Sequence, residues 1–336
     1  MTEPTQIVGN YEFLGIIDRP KAGVTYKVRN LTTGELEVLR TLPGASYGDP
    51  ESLERLLREI RVHTRLSHPN IVAFHDAPEL DGCVVMTAEF VEGTTLAELC
   101  RPDPLLSSEA LRVIRDVLSG LEEAHALGIV HRGITAEHVM VTPKGVVKLG
   151  GFDLAKPEAD MMLTKGGAIL GDPRYISPEQ VMGTEALDGR ADVYSVGVLL
   201  FQTLTGKVPF DGPNDYDIMV AQVSKQPPRP SLLNPGIAPE LERIVLTALA
   251  KEPEKRFAGA WEFRMALESL ECPVGTAPEE EPEQEATPIG DRPGGLSYVP
   301  QFTMQGEGGG SGRTALVIGL VVLAIGLIVL AILAMH

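Results

Sequence analysis

Short runs of alternating apolar and polar residues dominate the N-terminal part of the chain. They cover residues 11–17, 24–28, 35–42 and 83–90, and one stretch with helical periodicity, 51–66, separates the third run from the fourth. Alternation with a period of two is typical of strands that bury one face, whereas a 3.6-residue period is typical of an amphipathic helix. The pattern predicts a small antiparallel sheet with one helix.

Helical periodicity takes over in the rest of the folded part. It is clearest in residues 110–127, 192–204 and 239–250, and glycine and proline mark the joins between these stretches. A larger, mainly helical second lobe is therefore expected. The predicted fold class is α+β with two lobes, the small lobe at residues 11–91 and the large lobe at residues 92–271.

Composition limits the kinds of partner this chain can have. The 336 residues are 43% hydrophobic, which is enough for a sizeable core, and the formal net charge is -17. Nonspecific nucleic-acid binding needs basic patches, so this charge argues against it and favours basic partners. The three cysteines, Cys83, Cys100 and Cys272, predict neither a disulfide framework nor a metal cluster, which favours a reducing cytosol.

The two ends of the chain differ in composition from the folded part. Residues 1–10 are predicted to be an N-terminal extension, and they lack the basic start, apolar run and cleavage site of a secretory signal. Residues 272–313 are rich in proline, glutamate, glycine and serine. Such a segment cannot bury enough apolar surface to order itself, so we predict a disordered acidic and glycine-rich linker.

An uncharged apolar run, TALVIGLVVLAIGLIVLAILAM, occupies residues 314–335. A helix of this length can cross a hydrocarbon core of about 30 Å, whereas a buried core helix, the alternative, would be shorter and amphipathic. We predict a single-pass C-terminal membrane anchor, with the folded lobes in the cytoplasm on the side of Arg313. Ala315, Gly319 and Gly326 lie near one face of this helix, which predicts at most a weak homodimer.

Ordered motifs mark the second half of the folded part. They are HRGITAEH (131–138), GFD (151–153), GDPRYISPEQ (171–180), DVYSVGV (192–198) and KEPEKRF (251–257). Their order and spacing resemble the catalytic loop, metal-binding segment, end of the activation segment, central helix and closing motif of a eukaryotic-like protein kinase. The resemblance covers residues 11–271 and is closest to bacterial membrane-anchored serine/threonine kinases. It implies the two-lobed kinase fold.

The resemblance also implies which side chains phosphoryl transfer requires, and the chain departs from the family at these positions. Gly133 stands in place of the proton-accepting aspartate, Thr135 in place of a phosphate-neutralising lysine, and His138 in place of a magnesium-binding asparagine. Gly151 replaces the aspartate that bridges metal and phosphates, and Asp172 replaces a threonine that bonds the catalytic pair. Because magnesium prefers oxygen ligands, these substitutions predict no catalytic residues and no metal site.

The predicted nucleotide pocket departs from the family as well. Of the family's three loop glycines only Gly23 remains, and Asp18 and Pro20 occupy the other two positions, bringing negative charge and removing an N–H donor. Val38 replaces an alanine above the adenine, and Arg40 replaces the phosphate-binding lysine, so both narrow the pocket. The other predicted pocket residues are Ala88, Glu89, Val91 and Met140.

Residues that hold the family's shape are kept. The resemblance implies two structural ion pairs, Arg40 with Glu59 and Glu179 with Arg256, the second partly buried. The remaining scaffold positions are His131, Arg132, Phe152 and Asp192. We interpret all of these residues as scaffold, with no chemical role of their own.

The leading hypothesis is a catalytically inactive kinase homologue, a pseudokinase, that acts as a membrane-tethered scaffold or allosteric protein-binding module. Its expected partner is a protein, either an active kinase or a kinase substrate, and no cofactor is expected. Fold alone does not decide function, because function depends on the site.

Two alternatives remain open. An active serine/threonine kinase would use ATP and magnesium with relocated residues, Lys21 or Lys27 on the phosphates and Asp153 or Asp172 on the metal. A nucleotide-binding switch would keep a pocket without transferring phosphate. Thr164 lies in the predicted activation segment and could accept a phosphate from another kinase.

Overall fold

A computed structural model of the chain describes residues 6–18, 24–41, 50–101, 103–152, 155–157, 171–184 and 187–270. The small lobe is a twisted sheet with one long helix, α1 (Pro50–His63). Its strands are β1 (Gln6–Val8), β2 (Tyr11–Asp18), β3 (Val24–Asn30), β4 (Leu36–Thr41), β5 (Phe74–Asp76), β6 (Glu79–Leu80), β7 (Cys83–Val84) and β8 (Met86–Glu89). The main sheet has the order β1-β2-β3-β4-β8-β5, and its pairs are antiparallel.

Alternating side chains fix which face of this sheet is buried. Tyr11, Val28, Leu39 and Val85 are almost completely buried and form one apolar cluster. Because a one-residue slip would turn each strand's apolar set to the opposite face, burial of this cluster fixes the strand register. The turn after β3 requires a residue with positive φ, and Gly34 (φ 77°) supplies it.

The large lobe is mainly helical. Its helices are α2 (Leu96–Leu99), α3 (Ser107–Ala126), α4 (Pro178–Val181), α5 (Arg190–Thr205), α6 (Asp215–Ser224), α7 (Pro239–Ala248) and α8 (Ala260–Glu268). The large lobe also has short strands, β9 (Thr94–Thr95), β10 (Ile129–Val130), β11 (Val139–Val141), β12 (Val147–Leu149) and β13 (Lys156–Pro157). Helix α5 is buried on nearly all sides, as expected for a sequence that is apolar all round, and ends at Gly206 in the left-handed conformation.

The predicted α+β architecture with two lobes agrees with this structure. Strand β1 is a correction, because it places part of the predicted N-terminal extension inside the sheet, paired with β2 across the turn at Gly9 (φ 57°). The predicted strand 83–90 is interrupted at Val85, so it becomes β7 and β8. Within the described residues, no helix is both long and apolar enough to span a bilayer. The predicted linker 272–313 and the anchor 314–335 lie outside those residues.

A buried ion pair joins two distant parts of the large lobe. The Arg256 guanidinium donates to both carboxylate oxygens of Glu179, at 2.6 and 2.7 Å, and both side chains are almost fully buried. The same guanidinium also donates to the backbone carbonyls of Arg190, Ala250 and Lys251. All of its hydrogen-bonding edges are therefore engaged, which fixes α4 against the start of α5.

Replacing Arg256 by methionine is expected to leave the Glu179 carboxylate buried and uncompensated. We predict a loss of about 3 to 5 kcal/mol in the free energy of unfolding, measured by urea titration. The control is Arg29→Met, which removes an exposed pair with Glu12 and should cost about 0.2 to 1 kcal/mol. An Arg256→Met loss no larger than that of the control would contradict this account.

Candidate functional site

The segment 131–138 lies between β10 and β11, and its start is anchored by a carboxylate from α5. Asp192 is fully buried and accepts backbone N–H bonds from His131 and Arg132, both at 2.8 Å. The Nε2 atom of His125 lies 2.9 Å from the same carboxylate. Arg132 adopts positive φ (66°), an uncommon conformation for a side chain of this size. The anchor therefore holds a bent segment that would not keep this shape alone.

Hydrogen bonds keep the Asp192 carboxylate ionised. Burial by itself would raise the pKa of Asp192, but the bonds from His125 and from the His131 backbone outweigh burial and lower that pKa below its usual value. A charged carboxylate accepts stronger hydrogen bonds than a neutral one. The segment is therefore fixed by charge-assisted bonds.

A column of rings connects the two lobes through the site. The His131 and Phe152 ring centroids are 4.3 Å apart, and the Phe152 and His63 centroids are 5.6 Å apart. His63 in turn stacks with Phe74, with centroids 6.5 Å apart. His63 comes from α1, so the column joins that helix to the segment in the large lobe.

An ion pair attaches α1 to the sheet beside this column. Arg40 Nη1 on β4 lies 2.6 Å from Glu59 Oε1 on α1, and Glu59 is only 5% exposed. Arginine thus provides the strand-to-helix contact, and its guanidinium points at the helix. This ion pair therefore holds α1 against the sheet of the small lobe.

The imidazole of His138 makes a short contact within the segment. Its Nδ1 atom lies 2.6 Å from the carbonyl oxygen of Gly133. Because a carbonyl can only accept, Nδ1 carries the proton in this contact. The backbone of Gly150 also donates to the carbonyl of His138 at 2.9 Å. His138 therefore connects Gly133, which stands where the family has its proton-accepting aspartate, to Gly150 at the end of β12.

Gly151 lies directly against the His138 ring. A Cβ atom at this position would come within 2.5 to 2.7 Å of the His138 ring atoms, which is closer than real Cβ contacts occur. Gly151 also has φ of 77°, in the left-handed region that favours glycine. An aspartate at 151 and the observed position of the His138 ring are therefore incompatible.

Thr135 and Asp172, two further departures from the family, both line a very small cavity of about 10 Å³. Among the described residues, the buried Thr135 hydroxyl has no hydrogen-bond partner. Asp172 binds Arg174 instead, with both carboxylate oxygens accepting from that guanidinium and Oδ1 accepting from its backbone N–H at 2.9 Å. The Asp172 carboxylate is therefore committed to its own loop.

The structure places the predicted pocket residues on several elements of the two lobes. Val38 pairs with Ala88 across β4 and β8, and Met140 lies on β11. Lys27 Nζ sits 4.1 Å from the centre of the Phe90 ring. The remaining predicted residues are placed as follows: Glu89 bonds Lys148 at 2.8 Å, Val91 is buried, Asp18 ends β2, and Pro20 and Gly23 lie outside the described residues.

The arrangement does not fit a magnesium ion. Position 151 carries no side chain, and the ring at 138 is an imidazole whose Nδ1 is already used. Among the described residues, no group of three or more acidic, histidine or cysteine side chains is arranged to hold a metal. Asp153 and Lys21, which the active-kinase alternative needs, lie outside the described residues.

Sequence reasoning missed three contributors to the site. His63 follows Glu59 by four residues on α1, so helical spacing could have placed both on one face. Arg174 follows Asp172 by two residues, and its ion pair had no signal beyond that proximity. His125 approaches Asp192 only through the packing of α3 against α5, which the sequence does not encode locally.

Residues 11–269 match the model of the protein kinase domain. The match includes both lobes and every element of the site described above. The chain belongs to the protein kinase family. The kinase fold, with its sheet-rich small lobe and helical large lobe, is thus established for this chain.

Named relatives and a solved structure agree with this membership. A probable serine/threonine-protein kinase of Streptomyces coelicolor is 36% identical over 80% of this chain and 41% of its own length. The serine/threonine-protein kinase pkn3 of Myxococcus xanthus is 33% identical over 79% of this chain and 50% of its own length. The crystal structure of the Mycobacterium tuberculosis PknI kinase domain gives a TM-score of 0.60 at 26% identity, covering 80% of this chain and 98% of that one.

The chain spans half or less of the length of these two curated relatives. Both relatives carry the name of a serine/threonine-protein kinase. Those names favour the alternative prediction, an active kinase, over the leading prediction of an inactive one. The loss of activity predicted from the sequence is therefore not shown by the comparisons.

Restoring an aspartate at position 151 is expected to destabilise this kinase domain unless His138 changes too. Gly151→Asp should cost about 2 to 3 kcal/mol more than Gly34→Asp, because the ring clash adds an overpacking cost to the same backbone strain. Gly34 has the same φ of 77° and open space around it, which makes it a matched control. Urea unfolding measures both.

A second change separates steric clash from backbone strain. His138→Asn should recover a large part of the Gly151→Asp loss, with a coupling of about 0.5 to 3 kcal/mol in a double-mutant cycle. The same His138→Asn change combined with Gly34→Asp should be additive. Additivity in both cycles would show that the His138 ring does not exclude a side chain at 151.

Proposed function

We propose that this chain is a catalytically inactive protein kinase homologue that works as a scaffold or allosteric module for a partner protein. One observation carries the proposal: the ring of His138 occupies the space that a side chain at Gly151 would need. An active site of this family needs oxygen ligands for a metal at both positions. The two substitutions are therefore fitted to each other, which supports a site that no longer holds a metal.

The missing groups are those that lower the barrier of phosphoryl transfer. A positioned general base contributes about 10²- to 10⁴-fold in rate, and Gly133 provides no such group. Metal ions neutralise the charge that develops on the phosphates, and residues 138 and 151 do not fit such an ion. Asp172 is paired with Arg174 at both carboxylate oxygens, so it does not replace a missing ligand. These losses act on the same transition state, so normal turnover is not expected.

The retained contacts support a role that depends on shape. The Arg40–Glu59 pair, the ring column through Phe152 and the Asp192 anchor are all formed between the protein's own groups. A protein partner can recognise a surface that is already in place, with little cost for ordering it. We propose an active kinase or its substrate as that partner, with no cofactor required.

Location and assembly follow from the sequence outside the described residues. The apolar run 314–335 supports a single-pass anchor in the cell membrane, and the linker 272–313 would leave the kinase domain free to meet membrane-bound partners. Weak homodimerisation through the small residues of the anchor is part of the same proposal.

An active serine/threonine kinase is the second candidate, and the names of the relatives favour it. It requires a cation on the phosphates and a carboxylate on the metal. Lys27 is engaged with the Phe90 ring and Asp172 with Arg174, so Lys21 and Asp153 would have to provide both functions. A nucleotide-binding switch without phosphotransfer stays a third prediction.

The test is transfer of radiolabel from the γ-phosphate of ATP, with magnesium or manganese, to a generic basic protein by the purified full chain. We expect incorporation no higher than with the Asp153→Ala variant prepared in the same way, because both lack a general base at position 133. Transfer by the wild-type chain that disappears in Asp153→Ala would reject the proposal and establish the active-kinase candidate. Asp172→Asn is the corresponding variant for Asp172, the other carboxylate that the active-kinase candidate could use as a metal ligand.

A further inference from the structure

A cavity lies in the large lobe, and one of its lining residues is His125, the partner of Asp192. It has a volume of about 610 Å³, within the range of about 300 to 1,000 Å³ that is usual for ligand pockets. Three parts of the chain form its walls: the last turns of α3, the residues that lead into α5, and the start of α8. Two of its three walls are therefore helical.

Trp261 forms one wall of this cavity and is 61% exposed. It is the only tryptophan in the chain. Tryptophan is a highly buried residue type on average, and its face attracts apolar groups and cations. The Trp261 indole therefore offers an open face to a side chain placed in the cavity.

Two glycines line the cavity, and they have different surroundings. A Cβ atom at Gly189 would come within 2.7 Å of His125 Nδ1, so the bare backbone lets the imidazole pack against it. Gly259 is different, because a Cβ there would meet nothing within 4 Å. Its backbone is extended, which any residue can adopt. A larger side chain at 259 would thus project into open space without straining the fold.

Charge around the cavity selects the kind of guest. Two carboxylates line it, from Glu122 and Asp188, together with the guanidinium of Arg190, and Glu262 lies beside it, where it accepts the backbone N–H of Ala258. Glu122 is paired with Arg264, which leaves Asp188 as the lining carboxylate open to a guest. Asp188 is 57% exposed, and its Oδ2 lies 3.9 Å from Arg190 Nε, which is too far for a hydrogen bond. The Asp188 carboxylate therefore keeps capacity for another donor.

A carboxylate of the chain lies at each of the two helix starts beside this cavity. Asp188 accepts the backbone N–H of Arg190 at 2.9 Å, and Glu262 accepts that of Ala258. An anionic guest would therefore meet a carboxylate at each helix start. A cationic guest would gain both from the carboxylates and from the indole face.

We propose that this cavity is a docking site for a basic segment of a partner protein, with an arginine or lysine side chain placed between Trp261 and Asp188. The net charge of -17 over the whole chain draws basic partners toward it. This inference names the chemistry of the partner in the scaffold function proposed above and rests on that function. The cavity itself, however, does not depend on the state of the kinase cleft.

Trp261 provides its own assay, because it is the one tryptophan in the sequence and can be excited at wavelengths that tyrosine does not absorb. The full chain in mild detergent is titrated with a short capped peptide of alternating glycine and arginine. We expect a saturable change in emission, weakened when salt is raised from about 0.05 to about 0.3 M. Peptides with glutamate or tyrosine in place of arginine should give no saturable change.

Two variants locate the binding. Gly259→Leu fills the cavity, and Asp188→Asn removes the open charge while keeping the acceptor for the backbone of Arg190. Each should weaken the peptide about tenfold, a loss of about 1.4 kcal/mol. Gly15→Leu is the matched control, since a Cβ there also meets nothing within 4 Å, and it should bind like the wild type. Circular dichroism checks that each variant folds.

The inference is wrong if the arginine peptide produces no saturable change, if the glutamate or tyrosine peptide binds equally well, or if Gly259→Leu binds like the wild type. Its failure is distinguishable from failure of the proposed function. Phosphotransfer together with binding of the arginine peptide would overturn only the inactive-kinase proposal. If the chain neither transfers phosphate nor binds the peptide, only the docking-site proposal is overturned.

Discussion

The contact between the His138 ring and the Gly151 backbone is the constraint on which the interpretation of the cleft depends. The ring fills the space that a side chain at 151 would occupy, and its Nδ1–H is held by the carbonyl of Gly133. One histidine thus closes the position of a metal ligand and ties down the position of a missing general base. Positions that serve catalysis elsewhere in the family are joined here by a hydrogen bond and a packing contact.

The surrounding structure keeps the kinase shape by means that do not involve phosphate or metal. Asp192 holds the catalytic-loop segment through bonds to backbone N–H groups, and Arg256 with Glu179 holds the end of the activation segment. Both are buried charges with complete sets of partners, which is the condition under which buried charge is tolerated. The proposed loss of phosphoryl transfer is compatible with this retained shape, because different residues carry the two.

Sequence reasoning predicted the fold and found the positions at which the chain departs from the family motifs, but it did not predict how those positions contact one another. The order of motifs such as HRGITAEH fixes the family, and strand alternation places β2, β3 and β4 within a few residues. Strand β1 was missed because three residues are too short for a periodic signal. The fit of His138 to Gly151 depends on a positive φ and on ring placement, which no local pattern encodes. The cavity beside Trp261 was missed for the same reason, since its walls come from three distant segments.

Manganese binding tests the central claim most directly, because Mn²⁺ substitutes for Mg²⁺ and its free form gives an electron paramagnetic resonance signal. The full chain is added to Mn²⁺ in the presence and absence of ATP. The account predicts that the chain removes no free Mn²⁺ beyond the amount that ATP alone removes. A manganese site that requires the chain, and that is lost on His138→Ala, would contradict it.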